Sequence, residues 1–218
     1  MSSTKPLVIG TPATFARSLA RKQLLHTIYA SATVIIGLLV IINFKMPILL
    51  LLLLLPPALL ARYSFGKYKR IYSGVTSERR VARQLKKMSP AVTIHGGDLG
   101  AGGDVDHIIL GPICAVIETK TGRGRASIKG SDFYVSSKKL HRNPITQIKL
   151  QQKLLAKRIS CSVEAIVCIV DLHDPPKKIN GVWVCSLKDL STVVSSLPRV
   201  LTGSASNALV PRICGNKK

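Results

Sequence analysis

The chain has 218 residues, with 32 Lys and Arg against 10 Asp and Glu, for a formal net charge of +22. Such a balance excludes an acidic surface and points to a polyanionic partner, either nucleic acid or anionic lipid. The five cysteines include no Cys-x-x-Cys and have no histidine partners at ligand spacing, which excludes a zinc ribbon or finger, and an odd count fits a reducing compartment.

In chain order, residues 1–23 read as a basic cytoplasmic segment carrying Lys5, Arg17, Arg21 and Lys22. Residues 24–62 read as a transmembrane helical hairpin. Leu24 to Phe44 is a run of 21 residues without a charge, and seven leucines follow from Leu49 to Leu55. A bilayer-spanning helix needs about 20 apolar residues, and about 17 at the least. Lys45, Met46 and Pro47 make the connection, and Pro56 and Pro57 are expected to kink or end the second helix. A shallow re-entrant wedge is the alternative arrangement. The apolar core is too long for a signal peptide, and a second apolar run follows it directly. Residues 63–73 form a basic juxtamembrane linker. With Arg62 at the hairpin's end, its Lys67, Lys69 and Arg70 form a cluster that suits anionic headgroups. With Lys45 the sole charge in the connection, the positive-inside rule puts both ends in the cytoplasm.

Residues 74–200 read as one α/β domain and residues 201–218 as a polar, frayed tail. Glu78 to Met88 is an amphipathic helix with Val81, Leu85 and Met88 on one side. Val92 to His95 is a short strand, and the glycine-rich His95 to Gly103 is a loop. That loop lacks Gly-Lys-Ser/Thr, so it is not a phosphate-binding P-loop. Val105 to Leu110 and Ile113 to Glu118 are β-branched runs around Gly111-Pro112, a hairpin signal. Asp132 to Val135 is a strand, and Pro144 to Arg158 a helix with apolar Ile145, Ile148, Leu155 and Ile159 at helical spacing. Val163 to Val170 and Val182 to Cys185 are strands, and Leu187 to Leu197 closes the domain as a helix. Cys114 and Cys168 lie in apolar runs as small core residues.

The hairpin carries the chemistry. Side chains alternate along a strand, so Glu118 and Lys120 share a face. If the loop has an odd number of residues, for example Gly111 to Ile113, Asp106 lies opposite Glu118. Two carboxylates then converge and can hold Mg²⁺ or Mn²⁺, with the carbonyl of Thr119 as a third oxygen. Lys120 is placed to polarise a phosphate or to orient the attacking water. Acids are scarce: the chain has three glutamates, and all ten acids lie between Glu78 and Asp189. From Glu78 onward there are 23 Lys and Arg, an excess of 13 over those acids. Lys120, Arg123, Arg125 and Lys129 follow the Glu-x-Lys strand directly and are assigned to nucleic acid. Lys138, Lys139 and Arg142 extend that surface. Phosphate contacts of this kind carry little sequence information.

These residues resemble the nuclease-related domain, a branch of the PD-(D/E)xK nuclease-like superfamily. Ser77 to Leu85 resembles the family's first helix with its glutamate. Val105-Asp106-His107-Ile108-Ile109 resembles its Asp-His strand. Ala115 to Lys120, followed by Gly122, resembles its Glu-Thr-Lys strand. Asn143-Pro144-Ile145-Thr146-Gln147 resembles its Asn-Pro-x-x-Gln helix start. One departure is Ser77 where the family usually shows Gly before the helical glutamate, with Gly74 nearby. The resemblance covers roughly Gly74 to Ser195. It implies a restriction-endonuclease-like α-β-β-β-α-β core with a mixed central sheet flanked by helices. It also implies metal ligation by Asp106 and Glu118, a catalytic Lys120, and approaches to the site by Glu78 and Gln147. His107 points to the face opposite Asp106. The function expected is a membrane-anchored, metal-dependent nuclease acting on nucleic acid at the cytoplasmic face, with DNA favoured over RNA. A catalytically silent nucleic-acid tether and a lipid-bound scaffold are the alternatives.

Overall fold

The computed structural model describes residues 7–45, 47–88, 92–99, 104–200, 208–211 and 213. The chain forms two compact units, Thr14–Val75 and, separately, Met1–Ala13 with Thr76–Lys218.

In the first unit, α1 spans Thr14–Asn43 and a 3-10 helix spans Ile48–Leu54. The long helix α2, Leu55–Met88, begins in this unit and ends in the other. Gly37 of α1 lies so close to Leu54 that a Cβ there would stand 2.4 Å from its Cδ2. Two helical stretches are long and apolar enough to cross a membrane, Ala16–Asn43 in α1 and the run that begins at Leu49 in the 3-10 helix and continues into α2. Three expectations change here. The first helix starts at Thr14, not Leu24, and takes Arg17, Arg21 and Lys22 into its opening turns. Pro56 and Pro57 do not end the second helix but stand where the 3-10 turn Ile48–Leu54 passes into α2. They occupy its first turn, where the ring's fixed φ is already helical. The 63–73 segment is helical throughout, so the amphipathic Glu78–Met88 stretch is the last part of α2 rather than a separate helix.

The second unit is a mixed sheet with strand order β1-β2-β3-β4-β8-β10-β9. Its strands are β1 (Leu7–Ile9), β2 (Val92–Asp98), β3 (Asp104–Leu110), β4 (Ala115–Gly124), β8 (Glu164–Leu172), β9 (Lys177–Ile179) and β10 (Val182–Cys185). The β2-β3-β4 meander is antiparallel, whereas β4, β8 and β10 are parallel neighbours. Central β8 is a near-continuous apolar run because both of its faces are covered. On one face, Ile148, Leu155 and Ile159 of α3 (Pro144–Ile159) pack with Val116, Val167 and Val184. On the other, Val81 and Leu85 of α2 and Leu190 and Val193 of α4 (Leu190–Ser195) pack with Ile117, Ile166 and Cys185. The helix–strand order α2-β2-β3-β4-α3-β8 is the expected α-β-β-β-α-β arrangement.

Asn143 caps α3, accepting from the Ile145 N–H at 2.9 Å, with Pro144 in the first turn. The expected strand over Val92–His95 continues to Asp98, so half of the glycine-rich run is strand. Gly96, at φ +69°, makes the bend that lets it continue. Gly100 to Gly103 lie outside the described residues. A second sheet of β5 (Ala126–Lys129), β6 (Asp132–Val135) and β7 (Lys138–Lys139) packs Phe133 and Val135 into the α3-side core. The tail is not simply polar, since Leu209 and Ile213 are buried in that same core.

Candidate active site

The strand pairing of β3 and β4 sets Ile109 opposite Ala115, Ile108 opposite Val116 and His107 opposite Ile117. One further step in the same register puts Asp106 opposite Glu118, as an odd loop requires. Glu118 and Lys120 alternate with Ile117 onto the α3 face, where Val116 lies. The two carboxylates thus meet at the end of the hairpin.

Each is held by the backbone or by its strand neighbour. The Thr119 N–H donates to Asp106 Oδ2 at 2.7 Å. Lys120 Nζ donates to Glu118 Oε1 at 2.5 Å, with the Glu118 side chain only 2% exposed. The second oxygen of Glu118 is buried without a hydrogen-bond partner among the described residues. Loss of water pushes the Asp106 carboxyl well above its ordinary range, and the negative fields of Glu118 and then Glu78 add to the rise. Glu78, from α2, therefore stands close enough to act on the site. An acidic cluster that repels itself, with one buried oxygen unsatisfied, fits a cation. Two facing carboxylates are the donor chemistry that suits Mg²⁺, an ion that prefers oxygen ligands and keeps several waters. Among the described residues no group of three or more His, Cys, Asp or Glu side chains is placed to hold a metal ion, so Glu78 does not join Asp106 and Glu118 as a third ligand.

Gln147 stands half-buried on α3, one turn before Gln151. Sequence reading passed over Gln151. Its fully buried amide donates to the Asp104 carbonyl at 3.1 Å and ties α3 to β3 two residues before Asp106. The signal for it is the four-residue spacing from Gln147, which puts both on one helix face. Ser77 Oγ and Thr121 Oγ1 are 3.0 Å apart and join α2 to β4 beside the site. His107 does face away from Asp106. It pairs with His95 across β2 and β3, Nδ1 to Nδ1 at 2.7 Å. Burial, then the neighbouring His95, pushes its pKa down to about 3, so it is a neutral structural rung rather than a proton donor.

The proposed basic surface divides. Arg123 is exposed on β4 beyond Lys120. Arg125 is exposed at its end, 4.0 Å from Asp174. Lys129, Lys138 and Lys139 lie on the second sheet, with Lys129 over the Tyr134 ring and Lys139 paired to Asp132 at 2.6 Å. Arg142 is exposed just before α3. Lys138 and Arg142 have exposed side chains too, so each of these cations is accessible.

Residues 73–175 match the family model described as nuclease-related domain. No curated protein matches the chain, and no solved structure does.

Proposed function

From the nuclease-related domain carried by residues 73–175, we propose that this chain is a membrane-anchored, metal-dependent nuclease of the PD-(D/E)xK type, cutting phosphodiester bonds in nucleic acid, with DNA favoured. The observation that carries the proposal is the convergence of Asp106, Glu118 and Lys120, with one Glu118 oxygen buried and unpartnered.

Asp106 and Glu118, with the Thr119 carbonyl, would hold a divalent ion, Mg²⁺ or Mn²⁺, whose chemistry there would be that of a Lewis acid toward phosphate and water. The Thr119 N–H fixes Asp106 in the orientation that faces Glu118. Lys120, tethered by Glu118, presents an ammonium group to the incoming phosphate or to the water. Hydrolysis forms one P–O bond to the water oxygen and breaks one to the sugar oxygen. The water gives up a proton and the leaving oxygen gains one. Glu78 adds negative charge from α2, and Gln147 lies on the α3 face that approaches the site. The excess of cations would hold the polyanion, and the two apolar stretches with their flanking Lys and Arg support a reaction at the cytoplasmic face of a membrane.

The test is cleavage of labelled double- and single-stranded DNA and of RNA by the full chain in detergent with Mg²⁺ or Mn²⁺. Glu118→Ala and Lys120→Ala should each lower cleavage by at least about 100-fold with the fold retained. Undiminished cleavage by Glu118→Ala would sink the assignment. Salt-sensitive binding without any cleavage would make the domain a tether instead.

A further inference from the structure

A cleft of about 690 Å³ opens beside the catalytic end, on the α2 side of the sheet, and nothing in the active-site chemistry uses it. Arg80 of α2, Arg123 of β4, and His173 and Lys188, from the segments after β8 and β10, line it. We propose that this cleft binds the sugar–phosphate backbone of the nucleic acid next to the bond being cut, an inference that rests on the nuclease reading.

Three permanent cations face a single carboxylate there, Asp171. Arg80 reaches Asp171 through one nitrogen only, Nη1, shared between the two carboxylate oxygens at 3.2 and 3.5 Å, so the rest of its guanidinium fork is not engaged with Asp171. The two side chains are 42% and 50% exposed, so the pair is weak and can yield to a phosphate. The cleft shares its elements with the catalytic end. Arg80 lies two residues beyond Glu78 on α2, and Arg123 three residues beyond Lys120 on β4. At a strand rise of about 3.3 Å per residue, Arg123 is about 10 Å from Lys120. Neighbouring nucleotides advance by about 3.4 Å along a strand, so the distance spans about three of them. The pairing of β4 with β8 shifts register between Lys120 and Arg123, which re-aims the strand at this point. Half-buried Leu187 in the same wall gives sugars and bases an apolar surface that a small anion would not need.

Binding of a labelled single-stranded oligonucleotide is measured for the full chain in nanodiscs of zwitterionic lipid, with EDTA present so that no cleavage occurs. Arg123→Ala with Lys188→Ala should weaken binding at least tenfold at low salt. Each lost phosphate contact should lower the slope of log affinity against log salt by about 0.7. Arg123→Lys with Lys188→Arg should restore the slope. Unchanged affinity and slope in the alanine pair overturn the proposal. So does displacement of the oligonucleotide by inorganic phosphate at matching concentrations, which marks a small-anion site. Loss of binding only to nanodiscs containing phosphatidylglycerol, with oligonucleotide binding intact, assigns the cleft to lipid and also overturns it. Impaired oligonucleotide binding in the variants of a chain that never cuts leaves the cleft standing and removes the nuclease reading. Unimpaired binding in a chain that does cut removes the cleft alone.

Discussion

The strongest physical statement at any single residue is the raised pKa of Asp106. The folded chain holds a proton there that the unfolded chain releases near the ordinary value of 3.8. Between 3.8 and the raised folded value the native state binds more protons, so this group's contribution to stability is complete below 3.8 and is lost as pH rises through the folded pKa. His107 works in the opposite sense. Its pKa falls from 6.5 to about 3, so stability is lost as pH falls through that window. Asp106→Asn separates the two, because the amide oxygen can still accept from Thr119 while the charge disappears. In EDTA the variant should unfold at a higher temperature than the parent, by about 2–4 °C for each kcal/mol relieved. The gap should widen with rising pH and close toward pH 3.8. A gap that does not change with pH would show that Asp106 bears no such cost. Cleavage should be lost in the same variant, the usual exchange of stability for function at a site. The Asp106–Glu118 pairing was legible beforehand because strand alternation and loop parity fix it. Gln151 was not, since its burial depends on which helix face meets β3, and that is settled by packing.

At the scale of elements, the hairpin and α3 were readable because β-branched runs, Gly-Pro and an Asn-Pro start are local signals. The second sheet was harder to read. Its strands are two to four residues long, and their cations masked a pairing that buries only Phe133, Val135 and Ala126. The C-terminal segment misled for a related reason. Gly, Ser and Asn around residues 203–207 suggested fraying, while Leu209, Val210 and Ile213 carry the spacing of a buried turn. Arg158 closes over that turn through the Ile213 carbonyl at 3.4 Å. Ile213, at 2% exposure, should then behave as core: Ile213→Ala should cost about 2–5 kcal/mol in denaturant unfolding, as for a buried isoleucine. A change within about 0.5 kcal/mol, the range of a surface substitution, would return the segment to a tail.

The order of the chain through the whole molecule constrains its topology. Strand β1, before α1, pairs parallel with β2, after α2, through Leu7–Val92, Val8–Thr93 and Ile9–Ile94. The chain therefore leaves the sheet-bearing unit at Ala13 and returns to it at Thr76. A polypeptide whose flanks share a sheet cannot cross a bilayer an odd number of times in between. Either both apolar helices span, as a hairpin, or neither does. The same pairing gives the N-terminal residues a structural role, because removing β1 would bare the edge of β2. Cleavage of the segment as a signal would do so too. Tags at the two termini, probed by protease on sealed inverted and right-side-out vesicles, should be cut from the same side. The excess of Lys and Arg flanking the hairpin predicts that this side is cytoplasmic. Tags cut from opposite sides would break the β1–β2 pairing and the hairpin together. Tags cut together from the outer side would keep the pairing and put the domain outside the compartment that the proposed nuclease reaction requires.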